Sequence, residues 1–90
     1  MPMKCVMFYQ TAPDGLAKAA ELGPAHVARL REFHARGVLL MAGPFADPAQ
    51  GALGIFTSRD AAEEFVSGDP FVTGGVVSGW TLQEWKEVLA

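Results

Sequence analysis

His26, Asp47 and Asp69 are the side chains whose types and settings suit proton transfer in this 90-residue chain. Imidazole changes charge near neutral pH, and a carboxylate bonded to it both orients the ring and stabilises its protonated form. Asp47 stands just past Val38-Leu39-Leu40-Met41-Ala42-Gly43-Pro44, an apolar run that Gly-Pro ends. That pattern is a buried strand delivering a carboxylate to its end, with Gly43-Pro44 as the turn that aims it. His26 follows Pro24, a residue suited to a first helical position. In an opening turn the helix dipole disfavours the imidazolium and leaves a ring able to accept a proton. We therefore pair His26 with Asp47 as general base or acid and its orienting group. The plainer alternatives are a core-edge histidine bonded to backbone and a solvated turn aspartate. Asp69 also precedes a proline. It reads as a cap or brace for the loop before the last strand, or as a second carboxylate in the same cleft.

Other reactive types carry less. His34 falls late in the helix, where a surface or capping role fits. Cys5 lies within a strand pattern as a small buried hydrophobe, and Trp80 and Trp85 read as core or interface. Two histidines and one cysteine, widely separated, give no zinc spacing, and no Gly-rich loop follows a strand as a phosphate or dinucleotide site requires. No metal, nucleotide or other cofactor is expected. Seven Lys and Arg against ten acids, net charge −3, supply no basic stripe for nucleic acid. No apolar run is long enough to cross a bilayer, and a single cysteine excludes an internal disulfide framework. The expectation is a reduced, cytoplasmic protein of one domain, 1–90.

The elements that must hold these side chains follow from periodicity. Met3 to Tyr9 is a first strand, with Cys5, Met7 and Tyr9 on one side and Lys4, Val6 and Phe8 on the other. Asp14 caps a short Ala-rich helix over Leu16 to Leu22, Gly23-Pro24 interrupts, and a second helix runs from Pro24 to Arg36 and stops at Gly37. On it His26, Leu30 and Phe33 recur at i, i+4 and i+7. Val38 to Ala42 and Ala52 to Thr57 form a hairpin with a wide loop. Ser58 caps a helix buried through Ala61, Ala62, Phe65 and Val66 and ended by Gly68. Asp69-Pro70-Phe71 is a turn, and Val76 to Leu82 is the last strand, with Val76, Trp80 and Leu82 on one face. The tail 83–90 fits either strand or helix.

Strand, helix, strand, strand, helix, strand places both helices on one face of a four-stranded antiparallel sheet, the ferredoxin-like α+β arrangement. Half of the residues are hydrophobic, and both faces of the first strand are apolar. Two bare sheet faces, with Trp80 available to them, would bury one another in a homodimer.

His26 within Pro24-Ala25-His26-Val27, Gly37-Val38-Leu39 leading to Ala42-Gly43-Pro44-Phe45 with Asp47 beyond, and Asp69-Pro70-Phe71 before a Gly-rich entry to the last strand together resemble the YciI-like (YCII-related domain) proteins. The resemblance spans nearly the whole chain. It implies a dimeric α+β barrel whose cleft holds a histidine, matched by His26, and an aspartate, matched by Asp47. Gly43, Pro44, Asp69, Pro70 and Phe71 would then contact substrate. One relative is a dehydrochlorinase of a chlorinated hydroxyhydroquinone, which implies cofactor-free acid–base chemistry on small cyclic or phenolic molecules. The alternative is a non-catalytic dimeric module that binds a small ligand or assembles with other proteins.

Overall fold

The computed structural model describes residues 3–90, so the first two residues of the expected 1–90 domain lie outside it. The element order is β1 (Lys4–Thr11), α1 (Gly15–Ala35), β2 (Leu39–Pro44), β3 (Ala52–Phe56), α2 (Arg59–Gly68), α3 (Pro70–Thr73) and β4 (Val77–Trp85), with a 3₁₀ turn at Pro48–Gln50. The sheet order is β2-β3-β1-β4, with every neighbouring pair antiparallel. This is the ferredoxin-like βαββαβ arrangement, with α3 as an added single turn.

Alternation along β1 sorts the faces. Cys5, Met7 and Tyr9 are buried under the helices against Phe33 of α1, Phe56 of β3 and Phe65 of α2. Ala61, Ala62, Phe65 and Val66 form the buried stripe of α2, and Ser58 Oγ caps that helix by accepting from Ala61 N–H at 3.1 Å. Arg29 fastens α1 to α2: its Nε and Nη2 donate to the carbonyls of Phe65 and Glu64 at 3.0 and 2.7 Å. Those bonds hold the middle of α1, where His26 sits, against the end of α2.

Four expectations need correction. Helix α1 is continuous through Gly23-Pro24 rather than broken there. Pro24 deprives the Ala20 carbonyl of its donor, but both residues are exposed, so the freed carbonyl faces solvent and costs little. His26 is therefore at mid-helix, where the end-of-helix dipole does not act. Gly43-Pro44 is not a turn but the end of β2, paired with Leu53 and Ala52; a proline is tolerated because β2 is an edge strand. Asp69-Pro70-Phe71 is not a simple turn but the capped start of α3. Finally, Trp80 pairs with Tyr9, and directly opposed residues share a face, so Trp80 lies on the helix side. Trp85, opposite Lys4, is the tryptophan of the open face. The tail resolves as strand through Trp85, with neither helix nor strand after it.

Candidate functional site

Three elements converge on one carboxylate. Asp69 lies between α2 and α3 and is fully buried. Its Oδ1 accepts from Phe71 N–H at 3.1 Å, the bond that caps α3, and lies 2.7 Å from His26 Nδ1. Its Oδ2 accepts from the Tyr9 hydroxyl at 2.7 Å. A buried charge persists only when its lone pairs are met, and here every buried side-chain polar atom among the described residues has a partner.

The chemistry assigns the tautomer. An ionised carboxylate only accepts, so His26 Nδ1 carries a hydrogen and the neutral ring leaves Nε2 bare as an acceptor. The ring is stacked on Phe71, with centroids 3.8 Å apart and planes 4° from parallel, and meets the Phe65 ring edge-on at 6.4 Å. Its rotation is fixed by two aromatic contacts and one hydrogen bond. The imidazole is thus held, and 15% exposed, as a general base or acid requires. Tyr9 contributes the opposite property: burial, and then its bond to the Asp69 carboxylate, push the phenol well above its ordinary range. It is a neutral donor at neutral pH.

His26, Tyr9 and Phe71 line a cavity of about 260 Å³, walled further by Leu30, Gly43 and Pro44. No Lys, Arg, Asp or Glu side chain lines it. An apolar chamber with one imidazole fits an uncharged ligand with an acidic proton, because a carboxylate or phosphate would be desolvated there without a partner.

The expected pair of His26 and Asp47 does not form. The Asp47 carboxylate turns back to accept Ala49 N–H at 3.0 Å and caps the 3₁₀ turn in an exposed loop. Asp-Pro at 47–48 is a cap, whereas Asp-Pro at 69–70 is both cap and histidine partner. Of the residues expected to contact substrate, Gly43, Pro44 and Phe71 line the cavity, Asp69 is covered and reaches it through His26 and Tyr9, and Pro70 is not among its walls but opens α3. Tyr9 was missed. Its signal was present: a tyrosine on the buried side of a strand needs a partner for its hydroxyl. His34 lines, with Arg31, a more open groove between α1 and β2 that shares Val27, Leu30 and Ala42 with the His26 cavity. Burial pushes the Cys5 thiol up, consistent with an inert core side chain. Among the described residues no three His, Cys, Asp or Glu side chains converge as a metal site would need, and no helix is long and apolar enough to cross a membrane.

Comparison with known proteins adds a family and a fold. The model of the YCII-related domain matches residues 3–86. Protein YciI of Escherichia coli O6:H1 (strain CFT073) is 35% identical over 99 residues, covering 96% of this chain and 99% of its own. A protein of Haemophilus influenzae described as uncharacterized is 29% identical over 97 residues, with 96% and 99% covered. Among solved structures, 5-chloro-2-hydroxyhydroquinone dehydrochlorinase from Burkholderia phenoliruptrix AC1100, in complex with 2,5-dihydroxybenzoquinone, superposes with a TM-score of 0.77 at 23% identity, over 93% of this chain and 94% of that one. A putative antibiotic biosynthesis monooxygenase from Bacteroides thetaiotaomicron VPI-5482 gives 0.57 at 14% identity, over 97% and 90%. At these identities the two structures share the fold.

Proposed function

Since this chain belongs to the YCII-related domain family, we propose that it is a cofactor-independent acid–base enzyme in which His26 Nε2 moves a proton on a small, uncharged phenolic or cyclic molecule. The observation that carries this reading is the buried Asp69 carboxylate, shared at 2.7 Å by His26 Nδ1 and the Tyr9 hydroxyl, beside an apolar cavity. Asp69 takes the orienting role first given to Asp47. As Nε2 gains a proton from substrate, the imidazolium is stabilised by a charge already in place. On a halogenated polyphenol the carbon bearing the halogen first takes up a proton as one hydroxyl becomes a ketone, and loss of a second hydroxyl proton to Nε2 then forms a carbonyl, shifts the ring double bond and expels halide with its own electrons. Such an elimination needs no oxidant or reductant. The dehydrochlorinase of the same fold acts on a chlorinated hydroxyhydroquinone, which makes a halogenated polyphenol a reasonable first substrate.

The test is release of chloride from 5-chloro-2-hydroxyhydroquinone, and conversion of a panel of related phenols, by the wild-type chain and by His26→Gln. Turnover by the wild type that falls roughly 10²- to 10⁴-fold in the variant is the expected result. Binding of the panel without any turnover would replace this reading with a non-catalytic binding module.

The homodimer belongs to the same proposal. The register places Val6, Phe8, Leu53, Ile55, Met41 and Trp85 on the sheet face away from the helices. Phe8, Met41 and Trp85 are 39%, 63% and 40% exposed, an apolar surface that a second sheet would cover.

A further inference from the structure

A second cavity, of about 200 Å³, adjoins the first. Its walls are Leu16 and Ala19 of α1, Pro48 of the loop, and Val76 and Val77 at the start of β4. Tyr9, Pro44, Ala52 and Phe71 line both cavities. Three of these form one row across the sheet, since Tyr9 pairs with Ala52 and Ala52 with Pro44. Ala52, the smallest of the row, lies between the two larger side chains, and all three are common walls of the two chambers. The chambers differ in chemistry. The first holds His26. The second has Thr11 as its one hydroxyl besides Tyr9, and Thr11 Oγ1 is committed to the Pro48 carbonyl at 2.6 Å. No charged side chain lines it.

We propose that this second chamber is a subsite for the apolar substituent of a two-part ligand whose acidic head lies at His26: a neutral phenol bearing an alkyl chain or a second ring. The head position rests on the function proposed above; the tail position rests on the second cavity alone. Size supports the division. A closed apolar cavity of about 150 Å³ holds one benzene ring, so the first chamber accommodates a substituted ring and the second one more ring or a chain of similar bulk. A charged tail is disfavoured, because nothing in the second chamber would compensate its lost hydration.

The experiment titrates the full chain with phenol, 4-ethylphenol, 4-butylphenol and 4-phenylphenol, following the His26 imidazole and the Val77 methyl groups by NMR. All four should move His26, the two longest should also move Val77, and affinity should rise roughly fourfold per methylene from ethyl to butyl. Ala19→Phe, which fills the second chamber, should lower the ratio of butylphenol to phenol affinity at least tenfold. Ala19→Leu, a smaller intrusion, should lower it less and serves if the larger side chain disturbs folding. Equal affinities across the series, with His26 moved by each, would overturn the subsite and leave the acid–base reading standing. A chain-length gain that survives both variants would also overturn it, by locating the gain elsewhere. If no member moves His26, the head assignment fails and the subsite with it.

Discussion

The Tyr9 hydroxyl lies 2.7 Å from Asp69 Oδ2, so the carboxylate that orients His26 through one oxygen is held from β1 through the other. Tyr9→Phe removes that donor and leaves a buried carboxylate oxygen unpaired. The expected loss is about 1–3 kcal/mol of stability, which lowers the melting temperature of a domain this size by roughly 4–8 °C per kcal/mol. Calorimetry of the variant checks this. An unchanged melting temperature would mean that the hydroxyl is not needed by the carboxylate.

Tyr9 is the chain's single tyrosine, so its ionisation can be read from phenolate absorbance without interference from another. Burial, followed by the neighbouring carboxylate, raises its folded pKa, while an unfolded phenol titrates near about 10. Above that pH the unfolded chain releases a proton that the folded chain keeps. Stability from this group is therefore complete below about pH 10 and is lost as pH rises beyond it. Phenolate absorbance should appear together with loss of the folded circular dichroism signal, not ahead of it. A phenolate signal from intact protein near pH 10 would contradict the placement.

Asp69→Asn and Asp47→Ala separate the two aspartates. An amide at 69 offers one acceptor oxygen where the carboxylate meets three donors, His26, Phe71 N–H and Tyr9, so His26 loses its fixed Nδ1–H tautomer and proton-transfer activity falls by roughly a hundredfold or more. Imidazole nitrogen shifts would report the tautomer directly. Asp47→Ala removes a cap in an exposed loop, costs about 0.5–2 kcal/mol, and leaves those shifts where they were. If the imidazole responds to Asp47→Ala instead, the pairing described here is wrong.

Phe8→Glu places a charge in the centre of the open sheet face, against Phe45 at 5.7 Å between ring centroids. Sedimentation should show a wild-type dimer and a monomeric variant, with the monomer's helix and strand content retained. A monomeric wild type at micromolar concentration would remove the dimer from the proposal.

Much of the architecture was legible because it depends on local pattern. Alternation in β1 and the stripe of α2 require only a two-residue or 3.6-residue period and a water-averse side. Ser58 as a cap and Gly37, at φ 79°, as a helix stop are equally local choices. The break expected at Gly23-Pro24 failed because Pro24 falls on the exposed side of α1, and solvent contact is a tertiary fact. The choice between Asp47 and Asp69 failed for a related reason. Both precede proline and both cap a short helix. What distinguishes them is which one lies under the middle of α1, and that depends on how α2 docks through Arg29. Trp80 was assigned to the wrong surface because strand register, not alternation within one strand, decides it.

The three polar members of the site come from β1, mid-α1 and the start of α3, with Asp69 43 residues from His26 and 60 from Tyr9 along the chain. Chain-closure entropy over such spans is recovered only when the whole sheet and both long helices have assembled. A chain emerging from the ribosome thus carries an imidazole with no fixed tautomer and no partner until residues beyond 69 are out. The His26–Asp69–Tyr9 arrangement then arrives in the same cooperative step as the native state. Amide exchange at Asp69 and Phe71 should consequently proceed through global unfolding, making this corner of the molecule a reporter of whether the fold is complete.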